Sequence, residues 1–228
     1  MDNDWHIPHV LLLVETAGAY GRGLSLGIGR YIAQHGPWST CVAERAIYER
    51  LPTWLNDWRG DGILACSLYP RDVERLQATG LPVVELVADP QLGLPCVHAE
   101  SERMGEMAAE HLLGLGLEQF AFFAPEHHWW AVRRRDGFLS KLAQNDRPCS
   151  IYVPPTRQGR QKWQNVQQSR ILDWLKSLPA RCGVFSPSDR YAVALLDLCR
   201  RAKIAVPEQL AVVGVDNDPV LSSLSYPP

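Results

Sequence analysis

The sequence carries no surplus of positive charge. Lys and Arg number 23 against 25 Asp and Glu, for a formal net charge of -2. A surface that grips a nucleic-acid duplex needs a basic field, so these residues alone are not expected to hold DNA. No apolar run approaches the roughly 20 residues needed to cross a bilayer, so no membrane partner is expected. No basic segment followed by an apolar one precedes Val10, so the sequence predicts no export and a cytoplasmic location. The six cysteines, Cys41, Cys66, Cys96, Cys149, Cys182 and Cys199, form no C-x-x-C pair. Several sit in apolar runs, where a thiol acts as a small hydrophobe, and they read as buried and reduced. The seven histidines include His127-His128 but no H-x-x-x-H. Neither a metal nor another cofactor is therefore expected.

What is present is a globular α/β pattern. Hydrophobic residues make up 46% of 228 positions, with eight tryptophans. That suffices for one large domain or two lobes of roughly 100 residues each. Val10 to Val14 is apolar without alternation, as in a strand buried on both faces of a parallel sheet. Thr40–Ala43, Gly62–Cys66 and Val83–Val87 read as further strands. A helix carries Leu24, Ile28, Tyr31 and Ile32 and stops at Gly36-Pro37. Helical stretches are expected around Ile47–Trp58 and Arg71–Thr79. The alternation continues with a helix over Met104–Leu115, a strand over Phe120–Phe123 and a helix over Arg133–Ala143. It ends with strands over Ser150–Val153, Gly183–Phe185 and Leu210–Val215 and helices over Gln164–Leu178 and Tyr191–Ala202. Strands alternating with helices predict doubly wound parallel sheets. Their number is too high for one sheet, so two lobes joined by a hinge are expected, 1–116 and 117–228. In such sheets ligands collect at the carboxyl ends of the strands.

Two catalytic motifs compete for the first helix. Gly21-Arg22-Gly23-x-x-x-Gly27 with Glu44 at the next strand end is the pattern of a nicotinamide-dependent oxidoreductase. Gly21, however, lies too far beyond Val14 for a tight phosphate-binding turn. Gly23-Leu24-Ser25-Leu26-Gly27 spells a nucleophile elbow, but Ser25 falls within the helical pattern instead of directly after a strand. Neither points to an enzyme.

Three segments carry a stronger signal. The first is Gly183-Val184-Phe185-Ser186-Pro187-Ser188-Asp189, followed by a helix and then Val206-Pro207-Glu208-Gln209-Leu210-Ala211-Val212-Val213-Gly214-Val215-Asp216-Asn217. The second runs from Val97-His98-Ala99-Glu100-Ser101 through Gly105 to His111-Leu112 and Leu115-Gly116. The third is Arg134-Arg135-Asp136-Gly137-Phe138. Together they resemble the effector-binding domain of the lactose- and galactose-repressor family, a periplasmic-binding-protein-like fold of type I. Ala19-Tyr20-x-Arg22 and Gly60-Asp61-Gly62-Ile63 look most similar to xylose operon regulators of the arabinose-regulator class. The resemblance implies a sensor that binds a monosaccharide, a pentose such as xylose, in a cleft between lobes. It implies a homodimer that meets DNA through a C-terminal helix-turn-helix outside these residues. It also implies further elements after Pro228 that return to the first lobe. An NAD(P)-dependent oxidoreductase and a sugar carrier of the same architecture stand as the alternatives, the carrier distinguished by an export signal.

The resemblance assigns Arg134, Asp189 and Asp216 to the sugar from the second lobe, and Glu100 from the first. Glu100 and Ser101 depart from the family's usual Asp and Asn, and Ser188 stands where many members have Asn. Glu15, Tyr20 and Arg22 follow the first strand and are candidates from their position. Each residue has a plainer reading. Asp189 suits a helix N-cap and Asp216 an Asx turn, with Asp218 read as turn only. Arg133 and Arg135 read as solvated surface. Glu44 is a weaker candidate, and Trp129 and Trp130 read as loop residues that either stack on a pyranose or anchor packing.

Overall fold

Apolar runs like Val10–Val14 are satisfied only where helices cover both faces of a strand. That is the arrangement in the computed structural model, which describes residues 6–46, 49–124, 128–153 and 168–226. The chain divides into two units, Met1–Ala99 and Glu100–Pro228.

In the first unit, strands β1 (His9–Leu13), β2 (Ser39–Val42), β3 (Gly62–Ala65) and β4 (Val83–Glu85) form a parallel sheet in the order β2-β1-β3-β4. Period-two alternation splits β1 between two cores. Leu11 and Leu13 pack with Leu55, Ile63 and Leu76, while Val10, Leu12 and Val14 face Leu24 and Ile28. Those last two belong to helix α1 (Ala19–His35), which begins earlier than its apolar stripe suggests. Ala19, Tyr20 and Arg22 are therefore helical and do not lie in a loop. Helix α2 (Pro70–Gln77) matches its expected position. Within residues 49–58, the described part of the range expected as a helix over Ile47–Trp58, no α-helix forms. Among the described residues a short 3-10 turn, Thr53–Asp57, follows Pro52, because a proline turns its predecessor away from helical dihedrals. Ile47 and Tyr48 lie outside the described residues.

The second unit repeats the plan. Strands β5 (Gln119–Phe123), β6 (Cys149–Tyr152), β7 (Cys182–Phe185) and β8 (Leu210–Val213) lie parallel in the order β6-β5-β7-β8. Helices α3 (Ser101–Gly114) and α4 (Trp129–Ala143) pack on one face, where Phe120 and Phe122 meet Ala108, Leu112, Phe138 and Leu142. On the other face, Ala121 and Phe123 meet Ile171, Leu175, Leu195 and Leu198 from α5 (Gln168–Ser177) and α6 (Asp189–Arg201). A short helix, α7 (Pro219–Leu224), follows β8. Residues 164–167, at the start of the helix expected over Gln164–Leu178, lie outside the described residues.

The break between units falls before Glu100, where the sequence suggested a boundary after Gly116. The cause is the crossing of α3 and α4, where backbone meets backbone. A Cβ on Gly105 would sit 1.9 Å from the Arg134 carbonyl oxygen, and one on Gly137 would sit 2.0 Å from that of Glu102. Two glycines let the helices touch closely, so α3 belongs with α4 in the second unit. Glu100, expected on the first lobe, is in fact the N-cap residue of α3.

The thiols also differ from expectation. Cys66, Cys182 and Cys199 are buried, but Cys41, Cys96 and Cys149 are only half-buried; all six are free.

Candidate functional site

The second unit gathers its polar residues at the carboxyl ends of β5, β7 and β8. Ser186 binds these strand tips together. Its amide donates to the Val213 carbonyl at 2.8 Å and its hydroxyl to the Phe123 carbonyl at 3.3 Å. One residue later, the Pro187 carbonyl accepts a hydrogen bond from Nη1 of Arg134. Arg134 is buried, and its guanidinium lies 5.0 Å from the centre of the Trp130 ring. Trp130 in turn stacks on His128 at 5.2 Å and on Tyr191 at 6.4 Å, each pair within 11° of parallel. Trp130 is thus a helical residue one turn before Arg134, and its ring braces that side chain. A buried guanidinium needs such partners, because an isolated buried charge is costly.

Asp189 opens α6 without acting as its N-cap, a place taken by Ser188, whose side chain makes no capping bond. The Asp189 amide donates to the Val215 carbonyl at 2.8 Å, and Oδ2 accepts from the Asp218 amide at 2.7 Å. Burial pushes its carboxyl above the usual aspartate range. The nearby Asp218 charge adds to this, while the Asp218 amide hydrogen bond and Arg134 oppose it. Asp218 is more than a turn residue. It is buried, and its Oδ1 caps α7 by accepting from Val220 and Leu221. Between them, Asp216 is exposed with φ 105 and Asn217 has φ 51, both left-handed. Arg133 pairs with Glu102 on the surface, as expected of a solvated cation, while Arg135 pairs with Asp136 and is half-buried. Glu100 is exposed, and its side chain makes no capping bond to α3. Arg134, Asp189 and Asp216 are therefore brought to one edge of the second sheet.

In the first unit, Glu15 is buried just beyond β1 and pairs in a parallel bridge with Arg45. Helix α1 starts against it, since a Cβ on Gly21 would fall 1.7 Å from the Glu15 carbonyl oxygen. Gly21 thus serves a strand-to-helix contact and not a phosphate turn. Tyr20 donates its hydroxyl to the Leu86 carbonyl at 3.1 Å, and Arg22 donates to the Ala17 carbonyl at 2.6 Å. Both side chains fasten backbone at the strand tips. Glu44 is exposed.

A buried polar group that belongs to none of the motifs lies at the same edge. Arg45 donates to the Cys66 carbonyl at 2.7 Å and also to that of Glu49. Glu85, wholly buried, accepts from the amides of Ser67 at 3.1 Å and Ala88 at 3.2 Å. Burial raises its carboxyl above the ordinary glutamate range, against the pull of those hydrogen bonds. The signal was a lone acid inside the apolar run Val83–Val87. Burial also pushes the Cys66 thiol up to about 12. Among the described residues no group of His, Cys, Asp and Glu is arranged to hold a metal ion. No helix there is long and apolar enough to cross a membrane.

Comparison with known proteins agrees with this fold. Residues 28–165 match the model for periplasmic binding proteins and the sugar binding domain of the LacI family, and residues 109–228 match a periplasmic binding protein-like domain. The chain is 36% identical over 225 residues to the xylose operon regulatory protein of Haemophilus influenzae, covering 95% of this chain and 57% of that protein. It is 30% identical over 227 residues to the xylose operon regulatory protein of Escherichia coli K12, covering 95% of this chain and 56% of that one. Thus the chain spans little more than half the length of these relatives. A solved structure of the xylose-binding transcription activator xylR superposes with a TM-score of 0.79 at 25% identity, over 94% of this chain and 55% of that chain. The resemblance drawn from the motifs is borne out: the chain belongs to the family of periplasmic binding proteins and LacI-type sugar-binding domains.

Proposed function

We propose that the chain is the effector-binding part of a transcriptional regulator, that it binds a pentose, D-xylose first among them, and that it catalyses no reaction. The observation that carries this is the convergence of Arg134 and the Asp216 turn on the carboxyl edge of β5, β7 and β8. Carboxylates accept hydrogen bonds from sugar hydroxyls, and a guanidinium fork donates to two neighbouring oxygens at once. The names of the relatives supply the pentose. Glu100, at the start of α3, is a further proposed contact. Glu15, Tyr20 and Arg22 sit at the corresponding edge of the first sheet, where Tyr20 and Arg22 act by fixing backbone. In the complete regulator, sugar binding would favour one conformational state over another. A homodimer would pass that bias to DNA in the cytoplasm through a separate head.

Calorimetric titration with D-xylose, D-ribose, L-arabinose and D-glucose tests the proposal. Saturable binding of a pentose, abolished in Asp216→Ala while the protein remains folded, is the expected result. Equal affinity in the wild type and Asp216→Ala would remove that residue from the site.

A further inference from the structure

The Asp216 turn poses a conformational problem. Asp216 and Asn217 are consecutive non-glycine residues with φ 105 and 51. Left-handed backbone at such residues is costly and persists only where the surroundings enforce it. The enforcing contacts come from the start of α6. Oδ2 of Asp189 accepts the Asp218 amide at 2.7 Å, and the Asp189 amide holds the Val215 carbonyl at 2.8 Å. The turn is therefore gripped on both sides by one residue. Its far end is secured a second time, where the buried Asp218 carboxylate caps α7. Gly214 makes the grip possible, because a Cβ there would lie 2.3 Å from Oδ1 of Asp189.

We infer that Asp189 is a positioning residue: its carboxylate latches the 216–218 turn, setting where Asp216 meets the sugar, and does not itself bind the ligand. The inference rests on the proposed sugar site and replaces the contact role that the motif suggested for Asp189. The latch needs an oxygen acceptor at Oδ2. It does not need a negative charge on the ligand side.

The test uses the full chain with Asp189→Asn, Asp189→Ala and Gly214→Ala, reading D-xylose affinity by calorimetry and backbone exchange at Asp218 by hydrogen–deuterium NMR. Asparagine keeps an acceptor oxygen, so Asp189→Asn should hold Asp218 exchange slow and stay within about three-fold of wild-type affinity, a change of under one hydrogen bond. Asp189→Ala and Gly214→Ala should both speed Asp218 exchange and weaken binding about ten-fold or more, as expected when the Asp218 amide is left without its acceptor. Two outcomes overturn the inference. One is unchanged Asp218 exchange in Asp189→Ala. The other is an Asp189→Asn protein that keeps Asp218 protected yet loses affinity as badly as Asp189→Ala, which would make the carboxylate a ligand contact. If the wild type binds none of the sugars, the exchange measurement in the sugar-free protein still decides the latch, separately from the proposed function.

Discussion

Replacing a helical glycine with alanine normally stabilises a helix by about 1 kcal/mol. Gly105 should do the reverse. Its Cβ would lie 1.9 Å from the Arg134 carbonyl oxygen and 2.7 Å from the Phe138 nitrogen, both backbone atoms that cannot rotate away. The α3–α4 crossing would have to open by at least about 1 Å to restore ordinary contact, an overpacking cost of about 3 kcal/mol at the upper end of the usual range. After the propensity gain, the net loss is about 2 kcal/mol, or about 4–8 °C in melting temperature for a protein of this size. Gly27, on the exposed face of α1, has nothing within 4 Å of its Cβ position. Gly27→Ala should therefore raise the melting temperature by about 1–4 °C. Differential scanning calorimetry of the two variants measures both signs. Because the clashing oxygen belongs to Arg134, Gly105→Ala should also weaken sugar binding while Gly27→Ala leaves it intact. A Gly105→Ala protein that melts at or above the wild type would refute the close crossing.

Glu85 offers a pH test. Its folded pKa is raised, so the folded state holds the proton more tightly than the unfolded chain does. Its contribution to stability is then greatest below the ordinary glutamate range and declines as pH rises from about 4.3 toward its raised value. Glu85→Gln removes that titration but keeps an acceptor for Ser67 and Ala88. Its stability relative to wild type should grow between pH 4 and pH 7 in chemical denaturation; a difference independent of pH would refute a costly buried charge. Glu85→Ala should cost about 1–3 kcal/mol for each amide left without its acceptor. Arg134→Lys keeps the charge but loses the fork and the flat stacking surface over Trp130; we expect about ten-fold or greater loss of pentose affinity by calorimetry. The same affinity in both proteins would exclude Arg134 as a contact. Cys66, Cys182 and Cys199 are buried with raised pKa values, at about 12 for Cys66 and about 11 for the others. They should resist iodoacetamide at neutral pH until the protein is unfolded, as mass spectrometry will show.

Periodicity alone determined much of this protein. Unbroken apolar runs at Val10–Val14 and Phe120–Phe123 can be satisfied only in sheets covered on both faces, so a parallel α/β architecture follows from the residues themselves. The motif glycines were legible as motif, but their purpose was not. Gly105 and Gly137 lie 32 positions apart, and only the crossing of α3 and α4 shows that each makes room for the other's helix. That same crossing decided where the units divide. Local pattern also could not say what the polar residues touch. Tyr20, Arg22 and Asp189 look alike as candidates at strand tips, yet each makes a hydrogen bond to backbone, with partners up to 66 residues away. The buried bond of Glu85 to Ser67 arises because neighbouring parallel strands end at one edge, and that of Arg134 to Pro187 because α4 packs beside the end of β7. Hydrogen-bond partners of that kind are set by chain crossings in space, on which the spacing of residues along the chain is silent.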